Sequence, residues 1–356
     1  MKYYVIAGEA SGDLHASNLM RGLEACDPGC EIRFRGSDAM VPVMGVAEVF
    51  AKARQVLRNL SSCKKDLLAW RPDAVVLVDY PGFNLRIARF ARRHGFKVFY
   101  YIPPKAWAHG EGRVRRLRRD VDAVYCYYPF ESEWFRARGV EARYFGNPLP
   151  ECLAARPVSP MEGQYIALLP GSRSAELGFL MPRFAELERL LAGDSRFAGF
   201  RLVLAAAPTM PEENYRSFLS ADSRIEVVAG RTYDVLAGAA AALVCSGTAT
   251  LEAALLGVPQ VVCYGVSRLT WWLGRLLVKV RYISPVNLCL DREAVEELLQ
   301  DEASPERMKR ELERIVFEEP VREQLAADYT ELKNLLGDGP VAGRIAQDIY
   351  AQTARV

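Results

Sequence analysis

The sequence predicts an α/β fold built as two βαβ domains in tandem, and three observations carry that expectation. Short continuous apolar runs, each bounded by polar or Pro/Gly punctuation, alternate with amphipathic stretches. A segment rich in Pro and Gly near 148–163, NPLPECLAARPVSPMEG, has little periodicity and reads as a linker. Beyond it the alternation starts again, as a second domain of the same kind requires.

In the first half YYVIAG (3–8), AVVLVDY (74–80), KVFYYI (97–102) and AVYCYY (123–128) read as buried strands, with helices between them such as 14–25 and 85–94. In the second half the strands are YIALLPG (165–171), RLVLAAA (201–207), IEVVAG (225–230), AALVCSG (241–247) and PQVVCYG (259–265). The tail from 305 onward is helical and charged, with apolar residues at three- and four-residue spacing in MKRELERIVF and REQLAADYTELKNLL. The expected domains are 1–155 and 164–320, followed by C-terminal helices at 321–356 that pack on a domain or cross between the two. Open parallel sheets bind ligands beyond the carboxyl ends of their strands. Two such sheets facing each other place those ends on opposite walls of a cleft, so the loops after the strands are where chemistry belongs.

Composition narrows the function. Half of the 356 residues are apolar, enough for two substantial cores. A formal charge of +2 argues against a nucleic-acid partner, although GRVRRLRRD (112–120) can make one face basic. No leader with a basic start and small-residue cleavage site is visible, and no apolar run approaches the ~18 residues that span a bilayer, so a cytoplasmic site of action is expected. The eight cysteines form no CxxC pair and the three histidines (15, 94, 109) have no zinc-like spacing. Reduced thiols, mostly in the core, and no metal follow from this.

Four loops offer chemistry. LLPGSRSAEL (168–177) leaves a strand through Gly171, places Ser172 and Arg173 at the turn and enters a helix, gathering N–H, hydroxyl and guanidinium donors suited to a phosphate or diphosphate. CSGTATLEAALLGVP (245–259) sets Ser246, Gly247, Thr248 and Thr250 at a helix start and Glu252 within its first turn or so, where a carboxylate accepts from ribose hydroxyls; the same residues also suit an N-cap with its capping partner. The first half is acidic instead. LVDYPGFN (77–84) ends a buried strand at Asp79, a position for a general base or for a helix cap, and VIAGEASGDLH (5–15) adds Glu9 and Asp13 to a second strand end. His15 and His109 are further bases with no evident partner. One half grips phosphate and the other supplies carboxylates, as transfer of a sugar from a nucleotide to a hydroxyl needs.

These residues resemble the lipid-A-disaccharide synthases. AGEASGD, VMGVAEV, VDYPGFN, ALLPGSRSAE, SGTATLE and YISPVNL occur in that family's order over nearly the whole chain. The resemblance implies two Rossmann-like domains facing across a cleft, the B-type glycosyltransferase (GT-B) fold. It implies metal-free, inverting transfer of 2,3-diacylglucosamine from UDP-diacylglucosamine to the 6-hydroxyl of diacylglucosamine 1-phosphate, giving a β-1,6 disaccharide and UDP, with no cofactor. By position it assigns Asp79 as the general base and Glu9 as a first-loop acid. Arg173 serves the diphosphate, Asn287 of SPVNL the donor site, and the SGTATLE loop the rest of the UDP pocket, with Glu252 on the ribose.

The resemblance also implies peripheral contact with the inner face of the cytoplasmic membrane through VMGVAEVFAKARQVL (43–57), which on periodicity alone is equally a buried amphipathic helix. It allows a homodimer. Two departures stand out: between GSDAM and VMG the chain is shorter than the family pattern by about 15 residues, and YYIPPKAWAHGEGRV differs from the usual SPSVWAW, leaving Trp107 without an assigned role. The rival readings are another UDP-sugar enzyme of the same fold, a UDP-N-acetylglucosamine 2-epimerase or muropeptide-type transferase, and a non-catalytic UDP-binding protein.

Overall fold

Among the described residues twelve strands pair into two all-parallel sheets of six. The computed structural model describes residues 1–8, 10–36, 46–208, 210–266, 271 and 280–355, with the backbone alone at 10, 11 and 46–54. The chain divides into two compact units, Met1–Cys152 with Leu336–Val356, and Leu153–Leu335.

The first unit runs β1 (Lys2–Ala7), α1 (Ala10–Cys26), β2 (Glu31–Arg35), α2 (Val46–Trp70), β3 (Ala74–Val78), α3 (Pro81–Arg93), β4 (Lys97–Tyr101), α4 (Gly112–Asp120), β5 (Ala123–Tyr125), α5 (Pro129–Arg136), β6 (Ala142–Arg143) and into α6 (Leu149–Ala154). Its sheet order is β2-β1-β3-β4-β5-β6. Every residue of β3 is buried, because helices cover both faces of the sheet, and such strands read as unbroken apolar runs. On one face Leu60 and Leu67 of α2, Phe83 and Ile87 of α3 and Leu117 of α4 pack against Tyr4, Ile6, Val75 and Leu77. On the other, Leu19 and Leu23 of α1 pack with Ile345 and Ile349 against Tyr3, Val5, Val76 and Phe99.

The second unit runs β7 (Tyr165–Leu169), α7 (Ser174–Ala192), β8 (Arg201–Ala206), α8 (Glu212–Arg216), β9 (Glu226–Ala229), α9 (Thr232–Ala237), β10 (Ala241–Cys245), α10 (Thr248–Leu255), β11 (Gln260–Tyr264), α11 (Pro285–Leu290), β12 (Glu297–Leu299), α12 (Pro305–Phe317) and α13 (Glu319–Leu336). Its sheet order is β12-β11-β10-β7-β8-β9. The last helix, α14 (Val341–Thr353), returns to the first unit, so the helical tail is shared between the two.

All nine expected strands are present, and β2, β6 and β12 join them at or beside sheet edges. The run 74–80 stops short as a strand, since pairing ends at Val78 and the backbone turns at Asp79. The eight cysteines are thiols outside any disulfide, five of them buried. The apolar stretch 43–57 falls partly outside the described residues: 46–70 is one helix, while the shortened region near 40–43 is not described.

Helix α14 approaches α1 closely because position 22 has no side chain. A Cβ on Gly22 would stand 3.0 Å from the Ala342 carbonyl oxygen and 3.0 Å from the Ala346 Cβ. Gly22→Val is therefore expected to force the helices apart and lower the stability of the protein by about 1–3 kcal/mol. Urea unfolding measures this, and an unchanged midpoint would refute the close packing.

Candidate active site

The carboxyl ends of β1, β3 and β4 lie side by side, because Ala7 pairs with Val78 and Val78 with Tyr101. At this corner the backbone leaves ordinary conformations. Asp79 and Tyr80 both adopt the left-handed region, with φ of 48° and 45°, and Ile102 after β4 has φ of 58°. Each costs a non-glycine residue about 1–2 kcal/mol, and for a β-branched isoleucine the conformation is rare.

Hydrogen bonds hold the turn. The Asp79 N–H donates to the Tyr101 carbonyl at 3.0 Å. The Asp79 carbonyl accepts from Asn84 Nδ2 at 2.8 Å and from the Tyr100 hydroxyl at 2.6 Å. Pro81 then opens α3 at a position that needs no N–H donor. Tyr80 also reaches the first loop: a Cβ on Gly8 would stand 2.3 Å from the Tyr80 ring, so only glycine fits between β1 and Glu9. Glu9 itself lies outside the described residues. Asp13 sits in the first turn of α1, where its charge suits the helix dipole.

Two residues that the sequence left without partners find them here. His15 stacks edge-on to Tyr101 and Tyr127, with ring centroids 6.0 and 5.8 Å away. Its Nδ1 is buried with no hydrogen-bond partner, and burial drags the imidazole down to about 4. Trp107 donates to buried Glu131 at 2.8 Å. The same carboxylate accepts from the backbone N–H groups of Tyr127 and Tyr128 at 2.8 and 3.0 Å. Burial pushes the Glu131 carboxyl up, against these three donors. Among the described residues four buried side-chain polar atoms lack partners, and two of them, His15 Nδ1 and Asn84 Oδ1, belong to this corner. Such atoms are rare in folded proteins and concentrate where function demands them.

In the second unit the loop after β7 is built around an internal anion. Gly171 has φ of 96°, and the Glu176 carboxylate accepts from the N–H groups of Ser172 and Arg173 at 2.9 and 3.2 Å. Those two amides, expected from the sequence to meet a phosphate, are thus occupied by a carboxylate of their own helix. The Arg173 guanidinium reaches the same carboxylate at 2.8 Å and its side chain is 79% exposed. Tyr215 ties the neighbouring loop to this one: its hydroxyl donates to the Gly171 carbonyl at 3.1 Å and accepts from the Ala207 N–H at 3.0 Å.

The loop after β10 is likewise held from within. The Ser246 hydroxyl donates to the Ile283 carbonyl at 3.1 Å, and buried Thr250 donates to the Gly247 carbonyl at 2.8 Å. Thr248 is exposed at the start of α10, where the Thr250 N–H donates to the Gly247 carbonyl at 3.1 Å and no side chain caps the helix. The Tyr233 hydroxyl donates to Glu252 at 3.0 Å, and burial pushes the Glu252 carboxyl up, opposed by that bond and by Arg156.

Asn287 is fully buried and uses all four amide positions: Nδ2 donates to Val295 O and Glu297 Oε1, and Oδ1 accepts from the N–H groups of Ala294 and Val295. Glu297 in turn accepts from the N–H groups of Ile283 and Ser284 at 2.8 and 2.9 Å. Asn287 therefore shapes the turn that Ser246 touches; in this state it presents no surface to a ligand. Among the described residues no three His, Cys, Asp or Glu side chains gather as a metal site.

The model of the lipid-A-disaccharide synthetase family matches residues 3–337. A lipid-A-disaccharide synthase of Myxococcus xanthus is 36% identical over 368 residues, covering 97% of this chain and 96% of the relative. Among solved structures, a UDP-N-acetylglucosamine 2-epimerase described as putative, from Listeria monocytogenes, superposes with a TM-score of 0.68 at 15% identity, covering 100% of this chain and 97% of the other. The calicheamicin glycosyltransferase CalG4 does so with a TM-score of 0.59 at 15% identity, covering 100% and 98%. At such identities these two likenesses show the fold alone, that of the GT-B enzymes.

The His15 environment makes a prediction. The folded protein holds a neutral imidazole while the unfolded chain takes up its proton near 6.5. The stability due to this burial is complete above pH 6.5 and is lost as the pH falls towards 4. NMR titration is expected to place the His15 midpoint near 4, and a midpoint near 6.5 would remove the burial argument.

Proposed function

The chain belongs to the lipid-A-disaccharide synthetase family, and from that premise we propose that it is an inverting hexosyltransferase acting on UDP-2,3-diacylglucosamine and 2,3-diacylglucosamine 1-phosphate. The 6-hydroxyl oxygen of the acceptor attacks the anomeric carbon as its bond to the diphosphate breaks. The electron pair leaves with UDP, the hydroxyl proton passes to a carboxylate, and a β-1,6 disaccharide 1-phosphate results.

The observation that carries this reading is the Asp79 turn. A carboxylate-bearing residue is held at the end of a central strand in a conformation it does not favour, by bonds from Asn84 and Tyr100. Backbone strain retained in this way is a mark of functional sites, and it argues against a merely UDP-binding relic. Asp79 is the proposed base, and Glu9, by its place in the AGEASGD motif, a second acid.

On the donor side Arg173, held by Glu176, meets the diphosphate, with help from the start of α10 at Gly247 and Thr248. Gly171 and Ser172 shape the first donor loop, Ser246 and Thr250 brace the second, and Asn287 positions the 283–284 turn behind it. Glu252, fixed by Tyr233, takes the ribose hydroxyls. The charge on the leaving group is thus met by protein donors, without a metal.

An epimerase would work on a single sugar nucleotide, whereas the family match over 3–337 favours transfer to an acceptor. The acyl chains of both substrates favour work at the inner face of the cytoplasmic membrane, with 43–57 in contact with it. No helix among the described residues is long and apolar enough to cross a bilayer.

Incubation of the protein with both substrates is expected to give disaccharide 1-phosphate and UDP, with and without chelator. Absence of product would defeat the transferase, and loss of product on chelation would defeat the metal-free route. Asp79→Asn is expected to lower kcat by about 10²- to 10⁴-fold and leave UDP affinity unchanged in calorimetry. Arg173→Ala is expected to weaken UDP binding about tenfold or more, the worth of a charge-assisted bond. Wild-type turnover in the first variant, or wild-type affinity in the second, would remove that residue from its role.

A further inference from the structure

We propose that Lys105, His109 and Arg113 form a phosphate subsite that receives the 1-phosphate of the acceptor beside the Asp79 turn. The choice of ligand rests on the acceptor assigned above; the subsite itself rests on charge and position. The three residues lie on one segment, the loop that leaves β4 after Tyr101 and the first turn of α4, where Arg113 is the second residue. A crossover helix that follows a parallel strand starts at the carboxyl end of the sheet, the end at which β3 stops and Asp79 turns.

Positive charge gathers here. The His109 imidazole is held below its usual range by partial desolvation and by the charges of Arg113 and Lys105, so the three groups lie within one another's fields. Glu111, the only acid between Ile102 and Arg113, is paired with Arg138 at 3.1 Å. Among the described residues the half-buried Arg113 side chain makes no ion pair or hydrogen bond. It folds back over Gly110, which has φ of 76° and where a Cβ would stand 3.3 Å from Arg113 Nε. No side chain caps α4, so the helix dipole adds positive character at the same point. Like charges held this close repel one another, and a bound phosphate relieves that repulsion through charge-assisted bonds.

The segment is also held in shape. Trp107, at its centre, donates to buried Glu131 at 2.8 Å, and Glu131 is itself fixed by the N–H groups of Tyr127 and Tyr128. Lys105 reaches over the Tyr128 ring at 5.6 Å. Trp107 thus gains the role that the sequence left open: it anchors the loop midway between Lys105 and His109.

Position selects a sugar phosphate. The Tyr100 hydroxyl donates to the Asp79 carbonyl at 2.6 Å. Burial raises that hydroxyl well above its usual range, the Asp79 charge raises it further and the Arg113 charge opposes both. The proposed base and the guanidinium therefore have a common neighbour. In a hexopyranose C1 and C6 flank the ring oxygen, so a 6-hydroxyl at Asp79 places the 1-phosphate just across that oxygen, on the edge remote from the acyl chain of C3.

Calorimetry of the full-length protein with soluble 2,3-dibutyrylglucosamine 1-phosphate and with its 1-hydroxy analogue tests the proposal. The phosphate is expected to bind about tenfold or more tighter than the analogue. Arg113→Gln is expected to remove that preference and to leave the affinities for the analogue and for UDP unchanged, which establishes that the variant folds. Arg113→Lys is expected to keep part of it, since a point charge replaces a bidentate fork. The double variant Lys105→Gln, His109→Gln is expected to lower it about threefold or more. Binding needs no turnover, so failure of the subsite and failure of the transferase reading are separate results. Equal affinity for the two ligands, an unaffected Arg113→Gln or double variant, or displacement by inorganic phosphate as effective as that by glucosamine 1-phosphate would each overturn the proposal.

Discussion

The first unit depends on how its central strand ends. A parallel strand emerging from a buried sheet must either continue into solvent or turn at once into its crossover helix, and β3 turns within two residues. Turning so sharply without glycine leaves Asp79 and Tyr80 left-handed. The strain is of the same order as the bonds that oppose it, those of Asn84, Tyr100 and Tyr101 to the backbone N–H and carbonyl of Asp79. Tyr80, swung out by its backbone, closes over Gly8 and brings the first loop into the same assembly. The geometry of the proposed base is therefore inherited from the backbone, and a change at Gly8, Asn84 or Tyr100 reaches Asp79 without touching its carboxylate.

The second unit shows the opposite economy. Its polar groups mostly satisfy one another: Glu176 occupies the amides after Gly171, Thr250 and Ser246 spend their hydroxyls on carbonyls, and Asn287 is fully bonded within its own turn. Buried donors and acceptors demand such pairing. At the surface of these loops stand the Arg173 side chain and Thr248 at the start of α10. Residues gathered by sequence motif thus separate into those that can touch a ligand and those that keep the loops in shape.

The difference marks the reach of sequence reading. Central strands were legible because burial on both faces writes them as unbroken apolar runs, as in AVVLV and AALVC. Edge strand β2, EIRFR, faces solvent over most of its length and carries charges there, while β6 and β12 span only two and three residues. No apolar run marks any of the three. The turn at Asp79 was read as strand because Val, Asp and Tyr continue the pattern, and nothing in residue type records a change in the sign of φ. Glu176 was legible in principle, as the third residue of a capping pattern after Arg173. The partners of His15, Trp107 and Glu252 were not, since Tyr101, Tyr127, Glu131 and Tyr233 come from distant elements joined only by the fold.

The return of α14 to the first unit bears on how the chain is made. Ile345 and Ile349 complete a core begun by Tyr3 and Val5, so β1 waits until the whole second unit has been made before α14 covers its apolar face. During synthesis of the whole second unit that face is open to water, to chaperones and to other nascent chains. Loss of α14 would therefore injure the sheet of the first unit rather than the second unit that precedes it in the chain, and a truncation ahead of Val341 would act as a folding defect at β1.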